Sequence, residues 1–316
     1  MSPRSIPFSL SALRAASAGL RPPLAVAFAP EGLVLGTAAT QADPAHFAAS
    51  TLDAGLIRPG ITEANLTQRE EIVSALRSAM GRIELRGRAA TLIVPDASVR
   101  LFLLDFDTFP TRRDEAFPIL RFRLRKSVSF DVEHAALSYQ TLSEGSARTE
   151  TPWKIVAILM PGAVRDEYES LARAAGLEPG VILPASLAAL CPQHSQQAEL
   201  MVFHSTCSLT IAIVSGSDYL LYRTNDLPAE TAAQASEIQR AVAVACAFFE
   251  DTLRAAPSRI LYAGSLPGSD FASILEGISH TVEPILDLTV IPAASEIPDK
   301  LSGLASAVAG ALAGAR

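Results

Sequence analysis

The sequence predicts an α/β chain of two related lobes with an inserted subdomain, on three observations. First, short apolar runs paired across turns open both halves, Leu24 to Phe28 with Leu33 to Gly36, and Leu200 to Val214 with Tyr219 to Arg223. Second, helix-period segments alternating with further apolar runs follow each opening, the order expected of α/β layers. Third, a break near Pro110 introduces a basic helix and strands of its own before the second opening. The organisation reads as an N-terminal arm over 1–23, a first lobe over 24–109, an inserted subdomain over 110–190 and a second lobe over 191–316.

Ala29-Pro-Glu-Gly32 supplies the turn residues Pro and Gly between the first pair of strands. Residues 41–65 are mixed and punctuated by Pro and Gly, so they read as irregular. Thr67 is placed as the N-cap of a helix over Gln68 to Met80, with Glu70 completing a capping box and Gly81 as the stop. Ile72, Val73, Leu76 and Met80 share one face of that helix. Strands are expected over Ala90 to Val94 and Val99 to Leu104, linked by Pro95-Asp96. The basic helix covers Ile119 to Lys126, with Phe117, Leu120 and Leu124 as its buried stripe. Pro118 fits near its start, because proline is tolerated in a first helical turn. A strand over Ala136 to Leu142, a polar loop over Ser143 to Thr151, a strand over Trp153 to Met160, a helix over Ala163 to Ala175 and a strand over Val181 to Leu183 complete the insertion. The last block holds a hairpin around Ser215-Gly-Ser-Asp218, a helix over 229–255, a strand over Arg259 to Tyr262 and a helix over Phe271 to Gly277. A strand over Ile285 to Ile291 and an Ala/Gly-rich helix over Leu301 to Leu312 end the chain.

With 316 residues, 49% hydrophobic and 19% charged, the composition is that of an ordinary globular protein of more than one core. A net charge of -7 argues against a nucleic-acid binder, and no aromatic residues interleave with the basic ones to stack on bases. Cys191, Cys207 and Cys246 are far apart and form no ligand spacing, which suits buried small residues in a reducing compartment. No segment reaches the roughly 18 to 20 apolar residues of a membrane span. Met1 to Arg21 places Arg4, Arg14 and Arg21 around Ile6, Phe8, Leu10 and Leu13 without a compact apolar core behind a basic start. It reads as an arm rather than a secretory leader, with a weak interfacial helix on anionic lipid as the alternative.

Candidate chemistry is sparse. Asp105 and Asp107 share a strand face and could hold a hard cation, but the face of an exposed edge strand explains them better. The histidines at 46, 134, 194, 204 and 280 form no metal-ligand spacing, and no metal site is expected. His204-Ser205-Thr206 lacks the Gly-x-Ser-x-Gly elbow of a nucleophile, so His204 reads as a core or turn residue. On the basic helix, Arg121 and Arg125 lie four apart on one face beside Phe122, with Arg112, Arg113, Arg123 and Lys126 nearby. That face is either solvated or a docking surface for an acidic or lipid-proximal partner.

Beyond these readings, the order of the central run resembles a known family. Ile119-Leu-Arg-Phe-Arg-Leu-Arg-Lys126 leads through Ser-Val-Ser-Phe130 to the Tyr139-Gln140 strand. Ala174-Ala-Gly-Leu-Glu-Pro179 then turns into a strand and the Ala/Leu helix that ends at Leu190. This run is similar to PilM, the cytoplasmic pilus-assembly family. The almost purely basic helix face is a departure from it, while the C-terminal Ala/Gly/Leu helix agrees. The resemblance implies an α/β, actin-like fold with ribonuclease H-like duplicated lobes and an inserted FtsA-type subdomain. It implies a cytoplasmic protein, peripheral to the inner membrane through a partner, that binds the cytoplasmic N-terminal peptide of PilN and meets other pilus platform and motor proteins. Arg121, Phe122 and Arg125 are the candidate partner-binding residues. The alternatives are the cytoplasmic component of a type II secretion platform and an active ATP-binding protein of the actin/Hsp70 type.

The resemblance also implies a nucleotide between the lobes, its phosphates on two hairpin turns carrying Asp-x-Gly. Here the first turn, Phe28-Ala-Pro-Glu-Gly32, has no Asp, and Pro30 removes a backbone donor. The second should lie within Val202 to Thr210, and no Asp or Gly occurs between Leu200 and Val214. Ile260-Leu-Tyr-Ala-Gly264-Ser-Leu-Pro-Gly268 retains the outline of the adenosine-side strand and turn, which makes Gly264, Ser265 and Gly268 weak candidate nucleotide contacts. The expectation is therefore a non-catalytic scaffold without a cofactor, ATP and magnesium being disfavoured.

Overall fold

Two sheets of identical plan frame the chain, in a computed structural model that describes residues 21–41, 43–85, 87–145, 151–190, 197–216, 218–277, 280–291 and 296–314. In the first, β1 (Leu24–Ala29), β2 (Gly32–Thr37), β3 (His46–Thr51), β4 (Ala89–Val94) and β8 (Glu178–Pro184) are ordered β3-β2-β1-β4-β8. In the second, β9 (Ala198–His204), β10 (Ser208–Ser215), β11 (Asp218–Asp226), β12 (Arg259–Gly264) and β13 (Thr281–Pro284) are ordered β11-β10-β9-β12-β13. In each, an antiparallel meander is followed by parallel strands added beside its first strand. The repeated order establishes two equivalent lobes, a relation that residue identity alone does not carry.

Between β4 and β8 the chain builds a third sheet from β5 (Arg100–Phe106), β6 (Ala136–Ser143) and β7 (Trp153–Met160), ordered β5-β7-β6. The helices are α1 (Arg69–Met80), α2 (Arg113–Leu124), α3 (Gly162–Ala175), α4 (Ala185–Leu190), α5 (Thr231–Leu253), α6 (Gly268–Ile274) and α7 (Ser302–Ala313). Gly176 closes α3 in the left-handed conformation at φ 96°, where a side chain would be strained.

Strand alternation decides which layer each residue joins. Along β1, Leu24, Val26 and Phe28 enter the core under α1 and α3, while Ala25, Ala27 and Ala29 face α7. The second lobe repeats the split. Leu200 and Val202 pack with α5, and Met201 and Phe203 join the α7 core. Small residues on β1 and along α7 let the helix approach the sheet closely, and one apolar core thereby spans both lobes. The inserted sheet buries its own core against Ala116, Leu120 and Leu124 of α2.

Several local expectations require correction. β3 lies within the stretch read as irregular, where backbone pairing with β2 supplies the order that composition lacks. Thr67 does not cap α1, because its hydroxyl donates to the carbonyls of Gly55 and Leu56 at 2.8 and 3.2 Å; Gln68 is the flanking residue. Pro118 sits inside α2 rather than in its first turn, since the helix begins at Arg113. The run from Leu200 to Val214 is broken by a turn at Ser205 to Cys207. The helix expected over Phe271 to Gly277 starts at Gly268 and ends at Ile274. Ile285 to Ile291 is not a strand, because the Asp287 carboxylate accepts from the Thr289 amide at 3.0 Å and coils the segment into a 3-10 turn. Most of the N-terminal arm and of the polar loop, and Cys191, lie outside the described residues.

Candidate functional site

The two hairpin turns at equivalent places in the lobes face each other. Glu31, on the first turn, accepts a hydrogen bond through Oε1 from the Thr206 amide of the second at 2.6 Å. Ser205 Oγ accepts from the amides of Cys207 and Ser208 at 3.4 and 3.2 Å. The backbone donors with which such a turn would cradle an anion are therefore occupied by the chain's own oxygens. The cavity left beside them, lined by residues including Glu31, His204, Ser265, Lys300 and Gly303, measures about 10 Å³. That is the room of about one water molecule, for which 10–15 Å³ is needed. A phosphate chain would meet the Glu31 carboxylate there, and the amides of Thr206, Cys207 and Ser208 are already taken, so this turn does not fit one.

His204 and Cys207 belong to the same cluster. His204 Nδ1 lies 3.2 Å from Ser265 Oγ, and its Nε2 is buried without a partner, as is Glu31 Oε2. Burial lowers the imidazole pKa to about 4, which keeps the ring neutral at neutral pH. Burial also pushes the Cys207 thiol up to about 11, which keeps it protonated at neutral pH.

The Gly264 turn follows β12. Ser302 Oγ donates to the Gly264 carbonyl at 2.9 Å, and the Ser265 amide donates to the His204 carbonyl at 3.1 Å. Gly264 and Gly303 touch through their backbones, and a Cβ on Gly303 would lie 2.8 Å from Gly264 Cα. Beside this contact a pocket of about 320 Å³ opens among Tyr262, Gly264, Leu266, Gly268, Pro284 and Asp287. Gly264 and Gly268 thus border the pocket, while Ser265 turns toward the small cavity.

A buried polar network ties the lobes together behind this region. The Asp96 carboxylate, in the turn after β4, accepts from the Ser186 hydroxyl at 2.5 Å and from the Ser186 amide at 3.2 Å. Tyr222, on β11, donates to Asp96 at 3.4 Å and is hydrogen-bonded to Ser186 Oγ. Burial raises the Asp96 pKa to about 6, against the opposing pull of its hydrogen bonds. Arg100 pairs with Asp226 at 3.8 Å across the same junction. Sequence reasoning singled out none of Glu31, Asp96, Ser186 or Tyr222. The one local sign was an acid in a turn that should carry Asp-x-Gly.

The candidate partner residues on α2 divide into two groups. Arg121 turns inward and donates to the carbonyls of Val132 and Ala135. Arg125 pairs with Glu133 at 2.9 Å. Phe122 projects outward and is 79% exposed. An open groove lined by Phe117, Pro118, Arg121, Phe122, Arg125 and Glu133 runs past them. Asp105 and Asp107 are exposed at the end of β5, an edge strand of the inserted sheet. Among the described residues, no group of three His, Cys, Asp or Glu side chains could hold a metal, and no helix is long and apolar enough to cross a membrane.

No protein-family model matches the chain, and no curated protein matches it by sequence. Solved structures do match the fold. The PilM-PilN type IV pilus biogenesis complex superposes with a TM-score of 0.73 at 15% identity, covering 93% of this chain and 98% of that one. The cytoplasmic domain of EpsL, an inner-membrane component of the type II secretion system of Vibrio cholerae, gives 0.52 at 12% identity over 87% and 96% of the two chains. A Bacteroides thetaiotaomicron protein of actin-like ATPase fold and unknown function gives 0.52 at 8% identity over 89% and 97%. The chain therefore has the actin-like fold in a PilM-like form, with the inserted sheet included.

Proposed function

We propose that the chain is a non-catalytic cytoplasmic scaffold of a type IV pilus inner-membrane platform, holding the cytoplasmic N-terminal peptide of a PilN-like membrane partner. The observation that carries this reading is the tie between Glu31 and the Thr206 amide, which joins the turns that would otherwise flank a nucleotide's phosphates. A site built for ATP turnover keeps such donors free and places a metal-holding carboxylate beside them. Here the carboxylate takes the anion's place. The likeness to the PilM-PilN complex over 93% of the chain supports the class of partner. Peptide capture of this kind rests on main-chain and apolar contacts and requires no bond breaking.

A second reading, retained nucleotide binding of the actin/Hsp70 type, is favoured by the pocket of about 320 Å³ beside Gly264 and Gly268. The likeness to the EpsL cytoplasmic domain supports a secretion platform as the alternative setting. Isothermal titration separates the main readings. The purified chain is titrated with ATP and magnesium, then with a synthetic PilN-type N-terminal peptide. Peptide heat without nucleotide heat supports the scaffold. Micromolar nucleotide affinity overturns it and promotes the second reading.

A further inference from the structure

α2 presents an apolar ridge to solvent on the side opposite its buried stripe. Pro118, Ile119 and Phe122 are all exposed, Ile119 by 40% and Phe122 by 79%. Ile119, Phe122, Arg123 and Lys126 follow the spacing of one helical face. The charges around this ridge are unequally committed. Arg112 pairs with Asp114 at 2.5 Å and lies 3.6 Å from Glu115, and Arg125 pairs with Glu133 at 2.9 Å. Nearby, Asp131 is taken by His134. Arg123 and Lys126 have no ion-pair partner among the described residues. In a chain of net charge -7, two uncommitted cations beside an exposed phenylalanine form a local exception.

We propose that this ridge rests directly on an anionic phospholipid bilayer, with Phe122 entering the boundary between headgroups and acyl chains and Arg123 and Lys126 meeting headgroup phosphates. A fluid interface suits the shape. Phe122 stands on a convex helix surface, the adjacent groove is open, and the cations that line it are turned toward the protein itself. A protein partner would have to supply a pocket for the ring, whereas a bilayer moulds to it. From Pro118 to Leu124 the helix offers about 9 Å of surface, with Lys126 in the turn just beyond it, enough for a weak contact that adds to another anchor and does not replace it. This contact gives to the bilayer the Phe122 that the sequence reading offers to a partner peptide, and it lies apart from the nucleotide site.

Flotation of the full chain with phosphatidylcholine vesicles, with and without phosphatidylglycerol, tests it. Binding is expected with phosphatidylglycerol alone and should weaken as salt rises. Phe122→Ser should lower the partition about tenfold, by the loss of a buried aromatic side chain. Arg123→Glu with Lys126→Glu should lower it by at least about fivefold per position. Both changes fall on exposed positions, and the charge pair serves as a second test should Phe122→Ser alter the melting temperature. Phe248→Ser, on the exposed side of α5, should leave the partition unchanged. The proposal is overturned if the native chain does not bind anionic vesicles, the outcome expected of a site for an acidic protein. It is equally overturned if binding survives both α2 variants, which would assign it to the basic arm at Met1 to Arg21.

Discussion

Two buried titratable groups at the lobe junction respond to acid in opposite senses, and replacing one should expose the other. Asp96 has a folded pKa raised from 3.8 to about 6 by burial. Its contribution is therefore fully present below the unfolded value and is lost as pH rises through 6. His204 has a folded pKa lowered from 6.5 to about 4 by burial. Its contribution is present above 6.5 and is lost as pH falls through 4. By linkage, acidification from pH 7 to pH 5 costs about 2 kcal/mol through His204 and restores about 1 kcal/mol through Asp96. The native chain should thus lose little from this pair. Asp96→Asn retains an acceptor for Ser186 and removes the compensating proton, leaving the histidine uncovered. Urea unfolding of both proteins between pH 4 and pH 7 checks this. The stability difference between native and variant should swing by about 1 kcal/mol by pH 5 and about 2 kcal/mol by pH 4, in favour of the native protein on the acid side. Carboxylates elsewhere titrate in both proteins and cancel from the difference. Parallel pH profiles would refute the reasoning, since they would mean that Asp96 is not protonated preferentially in the folded state.

Three further outcomes follow from particular contacts. Glu31→Ala removes the carboxylate acceptor from the Thr206 amide and should cost about 1.5 kcal/mol in urea unfolding, the figure kept low because Glu31 is half-buried. No ATP heat should appear in that variant, because Ser205 still holds the next two amides. Gly303→Val places a side chain against the Gly264 backbone and should cost about 1–3 kcal/mol, visible as a lower melting temperature. Arg259 bonds Glu199 and Glu283, each at 2.7 Å, and Glu199 is nearly buried. Arg259→Met should cost about 2 kcal/mol, below the range for a fully buried pair because Arg259 is partly exposed, and adding Glu199→Gln should recover part of it.

Much of the fold was legible because its elements are made by near neighbours. The apolar runs from Leu24 and Trp153, the stripe of α1 and the small-residue helix α7 all declare themselves within a few turns of chain. Where a side chain found a partner in a neighbouring loop, the reading failed. Thr67 looked like a cap because its hydroxyl could have served the helix, and it serves the Gly55–Leu56 carbonyls instead. Composition reads Leu200 to Val214 as one apolar run, while the resemblance puts a turn within Val202 to Thr210; the turn is at Ser205 to Cys207, where Ser205 holds the amides that follow it. On α2 the count of cations was plain, but not which of them were spent. Arg121 and Arg125 reach the segment from Val132 to Ala135, leaving Arg123 and Lys126 outward.

The sequence by itself determined the alternation that sends large residues of β1 to one layer and alanines to the other, and the absence of Asp from both hairpin turns. Local propensity and side-chain period act over a few residues, so they can be read from a few residues. Tertiary structure alone decided what fills the cleft. Glu31 meets Thr206 across 175 positions of chain, and Asp96 meets Tyr222 across 126. A donor at the lobe junction takes whichever acceptor closure of the whole chain brings to it, and that closure is set by the apolar core shared between the lobes.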